Sequence, residues 1–201
     1  MVRPFGTRAV LVELAGPADV LRLRAAVESA GVATETVPGW RTLLVRTDGD
    51  PTGVAEWLKR AELGDLEPPP QAQPVIIDVR YDGPDLEDVA QLMGKSVEEV
   101  VALHTRPEYT VVMLGFSRGF PYLSGMEPAL TGIPRLATPR TRVPAGAVGI
   151  ALDQTGIYPM ASPGGWRLLG NTDAVLFDPE RWPPSPLQSG SRLRLRAVGW
   201  S

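Results

Sequence analysis

Apolar and polar residues in the first sixty positions follow two spacings, one typical of strands and one typical of helices. Runs rich in Val and Leu predict strands, whereas apolar residues at every third or fourth position predict an amphipathic helix. The predicted elements are a strand at 8–14, a helix from Val20 to Ala30 that Gly31 ends, strands at 32–37 and 41–47, and a helix that starts at Asp50 and Pro51. This order predicts a small α+β domain over residues 1–70.

The next part of the chain begins with a change in composition. The segment 64–74 contains three successive prolines and few apolar residues, so it is predicted to be a linker. The segment 75–81 has the pattern of a strand, which either closes the first sheet or opens a second one. Two helices follow, one over 84–94 and one that starts at a capping box formed by Ser96 and Glu99.

From Tyr109 onward, short apolar runs are separated by glycine and proline, which favours strands and shaped loops over long helices. The predicted strands are 109–114, 147–152, 155–160, 166–169, 174–178 and 191–198. In the last of these, leucine alternates with arginine, which indicates one buried face and one cationic, solvated face.

Composition narrows the classes of function. The 201 residues carry a net charge of -3 and lack the basic excess of a nucleic-acid-binding protein. The absence of cysteine excludes disulfides and thiolate chemistry within the chain. The first residues lack the apolar core of a signal peptide, and no apolar run is long enough to span a membrane. We therefore expect a soluble, cytoplasmic protein that binds neither nucleic acid nor membrane.

The familiar catalytic motifs are incomplete. The segment 115–119 matches the G-x-S-x-G nucleophile elbow, but the only histidine, His104, precedes Ser117 instead of following it. His104 lies on the apolar side of its helix, either as a hydrogen-bonded core residue or as a general base or substrate donor. A lone histidine without cysteine disfavours zinc, and no glycine-rich phosphate-binding motif is present. No catalytic residue and no metal site is predicted.

The segment 138–150 is the most unusual polar stretch, because Arg140 and Arg142 lie between two prolines. Proline stiffens the backbone, so the two guanidinium groups are expected to point in preset directions. Such a pair suits bidentate binding of a carboxylate or phosphate, and equally suits structural ion pairs with acidic side chains. Gln154 and Tyr158 follow with amide and phenol groups that could orient a small amide substrate.

These segments also carry a family resemblance. The runs GFSRGFPYLSGMEP, TPRTRVPAGAVGIA and QTGIYPMASPGGWRLLGNT, in this order and spacing, resemble the allophanate hydrolase subunit 1 family. That family includes the B subunits of 5-oxoprolinases and an inhibitor of a sporulation histidine kinase. The resemblance implies an α+β N-terminal domain and, over 75–201, a mostly β, cyclophilin-like carboxyltransferase domain. Ser117 and Arg118 depart from the family pattern, which has an apolar residue and then proline there.

The resemblance further implies a reaction. The chain would be a subunit of an ATP-dependent enzyme that opens 5-oxoproline to glutamate, inactive alone and paired with a larger subunit 2 and a lactam-handling third subunit. ATP and its magnesium would be bound by, or shared with, a partner. The candidate substrate-binding residues, which follow from their own chemistry and spacing, are Arg140, Arg142, Gln154, Tyr158 and His104. Residues expected to be buried against the partner are Phe116, Phe120, Tyr122 and Met160.

Three alternatives remain open at this point. The chain could belong to a urea- or allophanate-metabolising enzyme, since no residue selects among the three amides. It could be a regulator that docks on a histidine kinase, which would need an exposed apolar patch and no catalytic pocket. A proline isomerase is suggested only by the implied barrel, and fold alone is a weak guide to function.

Overall fold

The computed structural model describes residues 1–61, 66 and 73–199. The chain divides into two compact units, Met1–Gln71 and Ala72–Ser201, which we call the N-terminal and C-terminal units. Each unit has a hydrophobic cluster of its own. The predicted linker at 64–74 lies almost wholly outside the described residues, so it stays a prediction.

The N-terminal unit combines an antiparallel sheet with two helices. Its strands are β1 (Val2–Pro4), β2 (Ala9–Glu13), β3 (Glu35–Pro38) and β4 (Thr42–Arg46), arranged in the order β1-β2-β4-β3. Its helices are α1 (Pro17–Ala30) and α2 (Thr52–Arg60). Alternate residues of β2 and β4 pack against the apolar side of each helix. The apolar residues spaced by two along the strands and by three or four along the helices thus form one core.

The helix ends follow the signals in the sequence. Gly31 ends α1 in the left-handed conformation, with φ 62°, which glycine adopts without steric cost. Helix α2 begins at Thr52, and the carboxylate of Asp50 accepts a 3.0 Å hydrogen bond from the Thr52 amide. Strand β1 was not predicted, because it is only three residues long and has no alternation to mark it.

The C-terminal unit is mostly β. Its strands are β5 (Val75–Val79), β6 (Glu108–Leu114), β7 (Pro121–Ser124), β8 (Arg140–Val143), β9 (Ala147–Ala151), β10 (Gln154–Ile157), β11 (Ser162–Gly164), β12 (Arg167–Asn171) and β13 (Arg192–Ala197). Seven of them form one sheet in the order β12-β9-β10-β7-β6-β13-β5, and β8 pairs with β11 separately. Strand β5 pairs in parallel with β13, so the strand predicted at 75–81 belongs to this second sheet.

The two edges of the seven-stranded sheet meet along a seam. The backbone groups of Arg80, directly after β5, and Asn171, at the end of β12, exchange two hydrogen bonds of 2.8 Å. A side chain on Gly83 or Gly170 would clash with the opposing backbone, so glycine is required for this close approach. The Arg80 guanidinium also pairs with the carboxylate of Asp173. The sheet is therefore nearly closed into a barrel.

Two helices and a short 3-10 helix complete the C-terminal unit. They are α3 (Leu86–Met93), α4 (Val97–Thr105) and the 3-10 turn Pro128–Leu130. Apolar residues of α3 and α4 join the same cluster as the inward-facing strand residues. The predicted capping box is confirmed, since Ser96 and Glu99 each accept a hydrogen bond from the other's backbone amide.

The prediction of a strand at 174–178 is wrong, because this stretch forms no strand. Leu176 is buried in the barrel cluster while Val175 is 59% exposed. The alternation of buried and exposed residues in this stretch therefore comes from one anchoring side chain and not from hydrogen bonding to a neighbouring strand. Strand β8 occupies part of the segment predicted as a rigid loop. Strands β7 and β11 were missed, since each is short and contains proline.

Candidate functional site

Two glycines lie opposite each other on neighbouring strands of the barrel. Gly149 of β9 and Gly156 of β10 are register partners. A Cβ on Gly156 would lie 2.9 Å from the Phe120 ring, and a Cβ on Gly149 would lie 3.2 Å from the Cβ of Trp166. Because neither strand has a side chain at these positions, aromatic rings rest directly on the backbone of the sheet.

The rings on this floor pack edge to face. The Phe120 ring lies 5.1 Å from that of Tyr158 and 5.5 Å from that of Trp166, at interplanar angles of 83° and 86°. Tyr122 is tilted against Phe120 at 5.0 Å. Edge-to-face pairs of this kind are attractive and hold each ring in one orientation. The cluster is thus a rigid wall, on the face opposite the barrel core.

A cavity of about 90 Å³ opens over this cluster, and we call it the aromatic cavity. It is lined by Phe116, Phe120, Tyr122, Arg135, Tyr158, Gly164, Gly165 and Trp166. Pockets for drug-sized molecules typically measure about 300–1,000 Å³. The aromatic cavity is smaller and suits a single small ring, so a nucleotide does not fit inside it.

Two phenol groups face the aromatic cavity. The Trp166 backbone amide acts on the Tyr158 hydroxyl by lowering its pKa, and the hydroxyl donates no hydrogen bond to a described residue, so its proton is available to a ligand. Burial raises the pKa of Tyr158, and burial also raises the pKa of Tyr122, so both phenols are neutral donors near neutral pH. Gly164 makes room for the Tyr158 hydroxyl, because a side chain there would clash with it.

One cation stands at the rim of the aromatic cavity. Arg135 is exposed, and it forms no hydrogen bond or ion pair with any residue that the structure describes. Its positive charge acts on both phenols, opposing the rise that burial causes in the pKa of Tyr122 and of Tyr158. The aromatic cavity therefore combines apolar walls, two donors and one positive charge without a carboxylate partner.

Arg140 lies next to this region but is already paired. One of its terminal nitrogens forms a 2.7 Å ion pair with Asp85, whose second oxygen accepts a 2.7 Å hydrogen bond from the Leu168 amide. Its other terminal nitrogen is buried and has no hydrogen-bond partner among the described residues. Arg142 is exposed and makes no ion pair within the described part of the chain. Arg140 is therefore an ion-pair partner of Asp85, whereas the Arg142 guanidinium is open to solvent.

Gln154 and His104 lie outside the aromatic cavity. Gln154 begins β10 half-buried, and its side chain makes no hydrogen bond to a described residue. His104 is fully buried, with Nδ1 2.7 Å from the Tyr81 hydroxyl and Nε2 2.9 Å from the Thr155 hydroxyl. Successive residues of a strand point to opposite faces of the sheet. The Thr155 side chain therefore points into the barrel, where it contacts His104, while Gly156 lies on the face that carries the aromatic rings. The structure gives His104 the environment of a core residue.

The G-x-S-x-G match is a tight turn between β6 and β7, not an elbow before a helix. The Ser117 amide donates to the Gly115 carbonyl at 2.7 Å, and the Phe120 amide donates to the Ser117 carbonyl at 3.1 Å. The Ser117 hydroxyl is buried and has no partner among the described residues. A buried hydroxyl with no base beside it among the described residues is not arranged as a nucleophile, which agrees with the incomplete motif.

The apolar residues expected at an interface differ in exposure, and Tyr122 and Met160 are half-buried. Phe116 is 62% exposed, whereas Phe120 is 1% exposed. The expectation that Phe120 contacts a partner is wrong, because the ring is enclosed by Tyr122, Tyr158 and Trp166. The residues that sequence reasoning missed are Arg135 and the glycines 149, 156 and 164. Glycine inside a strand pattern was the available signal for a close approach.

The described residues show neither a metal-binding cluster nor a membrane-spanning helix. No group of three or more His, Cys, Asp or Glu side chains there is arranged to hold a metal ion. No helix in the same ranges is long and apolar enough to cross a membrane.

Comparison with known proteins assigns the family. A family model described as "Carboxyltransferase domain, subdomain C and D" matches residues 1–187. The chain belongs to this family. Among carboxyltransferase C and D relatives, the B subunit of 5-oxoprolinase from Escherichia coli O157:H7 is 39% identical over 207 residues, with 94% of this chain and 92% of the relative covered. The expected family relationship is confirmed.

Other relatives are matched over part of their length. The B subunit of 5-oxoprolinase from Bacillus subtilis (strain 168) is 52% identical over 112 residues, and that from Haemophilus influenzae is 50% identical over 117 residues. These matches cover 56% and 58% of this chain. The chain spans about half the length of these two relatives, 46% and 54% respectively.

Solved structures of the carboxyltransferase C and D fold agree with the architecture. TTHA0988 superimposes with a TM-score of 0.79 at 38% identity, covering 100% of this chain and 41% of that chain. PH0987 from Pyrococcus horikoshii gives 0.60 at 34% identity, covering 98% and 97%. Kluyveromyces lactis urea amidolyase gives 0.73 at 20% identity, covering 98% and 15%, which shows a shared fold only. The expected class, an α+β part followed by a mostly β, cyclophilin-like barrel, is confirmed.

Proposed function

We propose that this chain is a subunit of an ATP-dependent enzyme that opens 5-oxoproline to glutamate. The observation that carries the proposal is the aromatic cavity, which has binding groups but lacks reacting groups. Three relatives that are named as the B subunit of 5-oxoprolinase support the choice of reaction, and the same name supports an enzyme of several subunits.

The aromatic cavity resembles half of an active site. Its lining supplies two phenols and one guanidinium, and contains neither a carboxylate nor a histidine that could act as a general base. The single histidine, His104, is committed to the barrel core. A second polypeptide therefore has to bring the groups that carry out the reaction. In the proposal this is the larger subunit 2, with a third subunit that handles the lactam.

ATP is assigned to a partner. The aromatic cavity is too small for a nucleotide, and the chain has no glycine-rich phosphate-binding motif. Hydrolysis of an unstrained cyclic amide is unfavourable near neutral pH, so ATP supplies the driving force when it is bound. The residues of this chain bind and orient the amide and exclude water from one side of it. Arg142 remains a candidate for a second contact with the substrate.

The test is reconstitution. We expect the isolated chain to be inactive, and the chain purified with its larger partner and third subunit to hydrolyse ATP only when 5-oxoproline is added. Allophanate and urea serve as alternative substrates in the same assay. A stable association should bury at least about 1,000 Å² in total, which pull-down and analytical ultracentrifugation would detect. Activity of the chain alone, or a response to urea but not to 5-oxoproline, contradicts the proposal.

A further inference from the structure

Phe116 has two features that oppose folding stability. Its backbone adopts φ 62°, in the left-handed region that costs a non-glycine residue about 1–2 kcal/mol. Its side chain is also exposed, so it contributes little burial. The ring nevertheless stands edge-on to Phe120 at 5.6 Å and to Tyr158 at 6.3 Å, at the aromatic cavity. Strain of this kind collects at ligand-binding sites.

The positive charge at the rim of the aromatic cavity indicates which kind of ligand group binds there. Arg140 shares its charge with Asp85, whereas Arg135 has no acidic partner among the described residues. Because Arg135 is exposed, its charge is accessible to an anion at the mouth of the aromatic cavity. The planar guanidinium fork matches a carboxylate through two parallel hydrogen bonds. A carboxylate is therefore the group that Arg135 is best suited to hold.

The walls set the shape of the ligand. Edge-to-face rings leave a narrow, apolar space of about 90 Å³, which admits one small flat ring. The Tyr158 hydroxyl has a proton to donate, because it lines the aromatic cavity and donates to no described residue. A hydrogen-bond acceptor on the ring of the ligand, such as an amide carbonyl, satisfies that donor. These requirements together describe a monoanionic cyclic amide.

We propose that the aromatic cavity is the subsite for a small cyclic amide that carries a carboxylate. Arg135 holds the carboxylate, and Phe116 and Tyr122 flank the ring above the buried rings of Phe120 and Trp166. Tyr158 donates to the amide carbonyl. The inference rests on the proposed function for the identity of the amide, but it assigns the binding residues independently of the reaction. Phe116 stands on the exposed side of the ligand.

The test uses the reconstituted complex and two ligands, 5-oxoproline and 2-pyrrolidinone, the same ring without the carboxylate. Loss of one charged hydrogen-bonded contact predicts that Arg135→Gln raises KM for 5-oxoproline about 10- to 100-fold, with little change in KM for ATP. Inhibition by 2-pyrrolidinone should be the same in Arg135→Gln and in the unmodified complex. Arg118→Gln is the matched control, because Arg118 is exposed nearby and does not line the aromatic cavity.

The outcomes separate the subsite from the reaction. If the complex responds to 5-oxoproline but Arg142→Gln raises KM and Arg135→Gln does not, the subsite is wrong and the proposed function stands. If no complex responds to 5-oxoproline, the proposed function fails, and calorimetric titration of the isolated chain decides the subsite. Binding of 5-oxoproline that Arg135→Gln abolishes supports it, and absence of binding refutes it.

Discussion

Arg140 and Asp85 form a largely buried ion pair, and each holds the other in place. Asp85 is 4% exposed, and its two oxygens join the Arg140 guanidinium to the Leu168 amide of β12. Removing one member of a buried pair leaves an uncompensated charge, which costs up to about 3–5 kcal/mol. Since 28% of the Arg140 side chain is exposed, we expect Arg140→Ala to lower the free energy of unfolding by about 2 kcal/mol.

Urea denaturation of Arg140→Ala and Arg142→Ala measures the contribution of the Arg140–Asp85 pair to the free energy of unfolding. Arg142 is exposed and without an ion pair in the described part of the chain, so its substitution should change the free energy of unfolding by less than about 0.5 kcal/mol. Equal stability of the two variants contradicts a structural role for Arg140. The double variant that also replaces Asp85 with Asn should recover part of the loss, because it removes the buried charge.

His104 makes the stability of the protein depend on pH. Burial lowers its pKa from the ordinary 6.5 to about 3. Between these values the unfolded chain binds a proton that the folded chain does not, so stability falls as pH decreases through this window. The slope reaches at most about 1.4 kcal/mol per pH unit.

The measurement compares unfolding free energies of the unmodified protein and His104→Gln from about pH 7 down to about pH 4. Carboxylates titrate in both proteins, so only the difference between the curves reports His104. We expect the unmodified protein to be more stable near neutral pH and to lose more of its stability on acidification. Parallel curves show that His104 is not the buried neutral group described above.

At the scale of elements, the glycine pair of β9 and β10 determines where the aromatic rings lie. A Cβ on Gly156 would come within 2.8 Å of the Pro121 carbonyl oxygen and 2.9 Å of the Phe120 ring. We expect Gly156→Ala to lower the free energy of unfolding by about 1–3 kcal/mol, the usual cost of overpacking. In Gly165→Ala the new methyl group would meet its nearest neighbour, on Pro139, at an ordinary 3.6 Å. Thermal unfolding should give a lower melting temperature for Gly156→Ala than for Gly165→Ala. Equal melting temperatures contradict the close packing of the Phe120 ring on Gly156.

The predictability of the elements follows from the range of the interactions that form them. Gly31 and the Ser96–Glu99 capping box act within a few residues, so the sequence alone located these helix ends. The aromatic cavity could not be found in this way, because register between β9 and β10 decides that Gly149 faces Gly156. Arg135 gave no signal, since an arginine in a loop has the same local pattern whether or not it adjoins a cavity.

At the scale of the whole molecule, the two units have separate hydrophobic clusters. The proline-rich segment 64–74 between them is predicted to be the accessible joint. Limited proteolysis should cut there first and leave a stable fragment of the C-terminal unit, identified by mass spectrometry. Primary cleavage within 109–180 contradicts this division.

The seam of the barrel restricts how a partner can bind. Many proteins recruit another chain by adding one of its strands to an open sheet edge. The hydrogen bonds between Arg80 and Asn171, together with the amides of Gly83 and Asp85 that donate to β12 carbonyls, occupy the place where such a strand would attach. A strand of another chain therefore cannot pair with the backbone at this seam. The same hydrogen bonds protect the sheet from edge-to-edge aggregation. A partner that binds the barrel at this seam must therefore recognise its side chains.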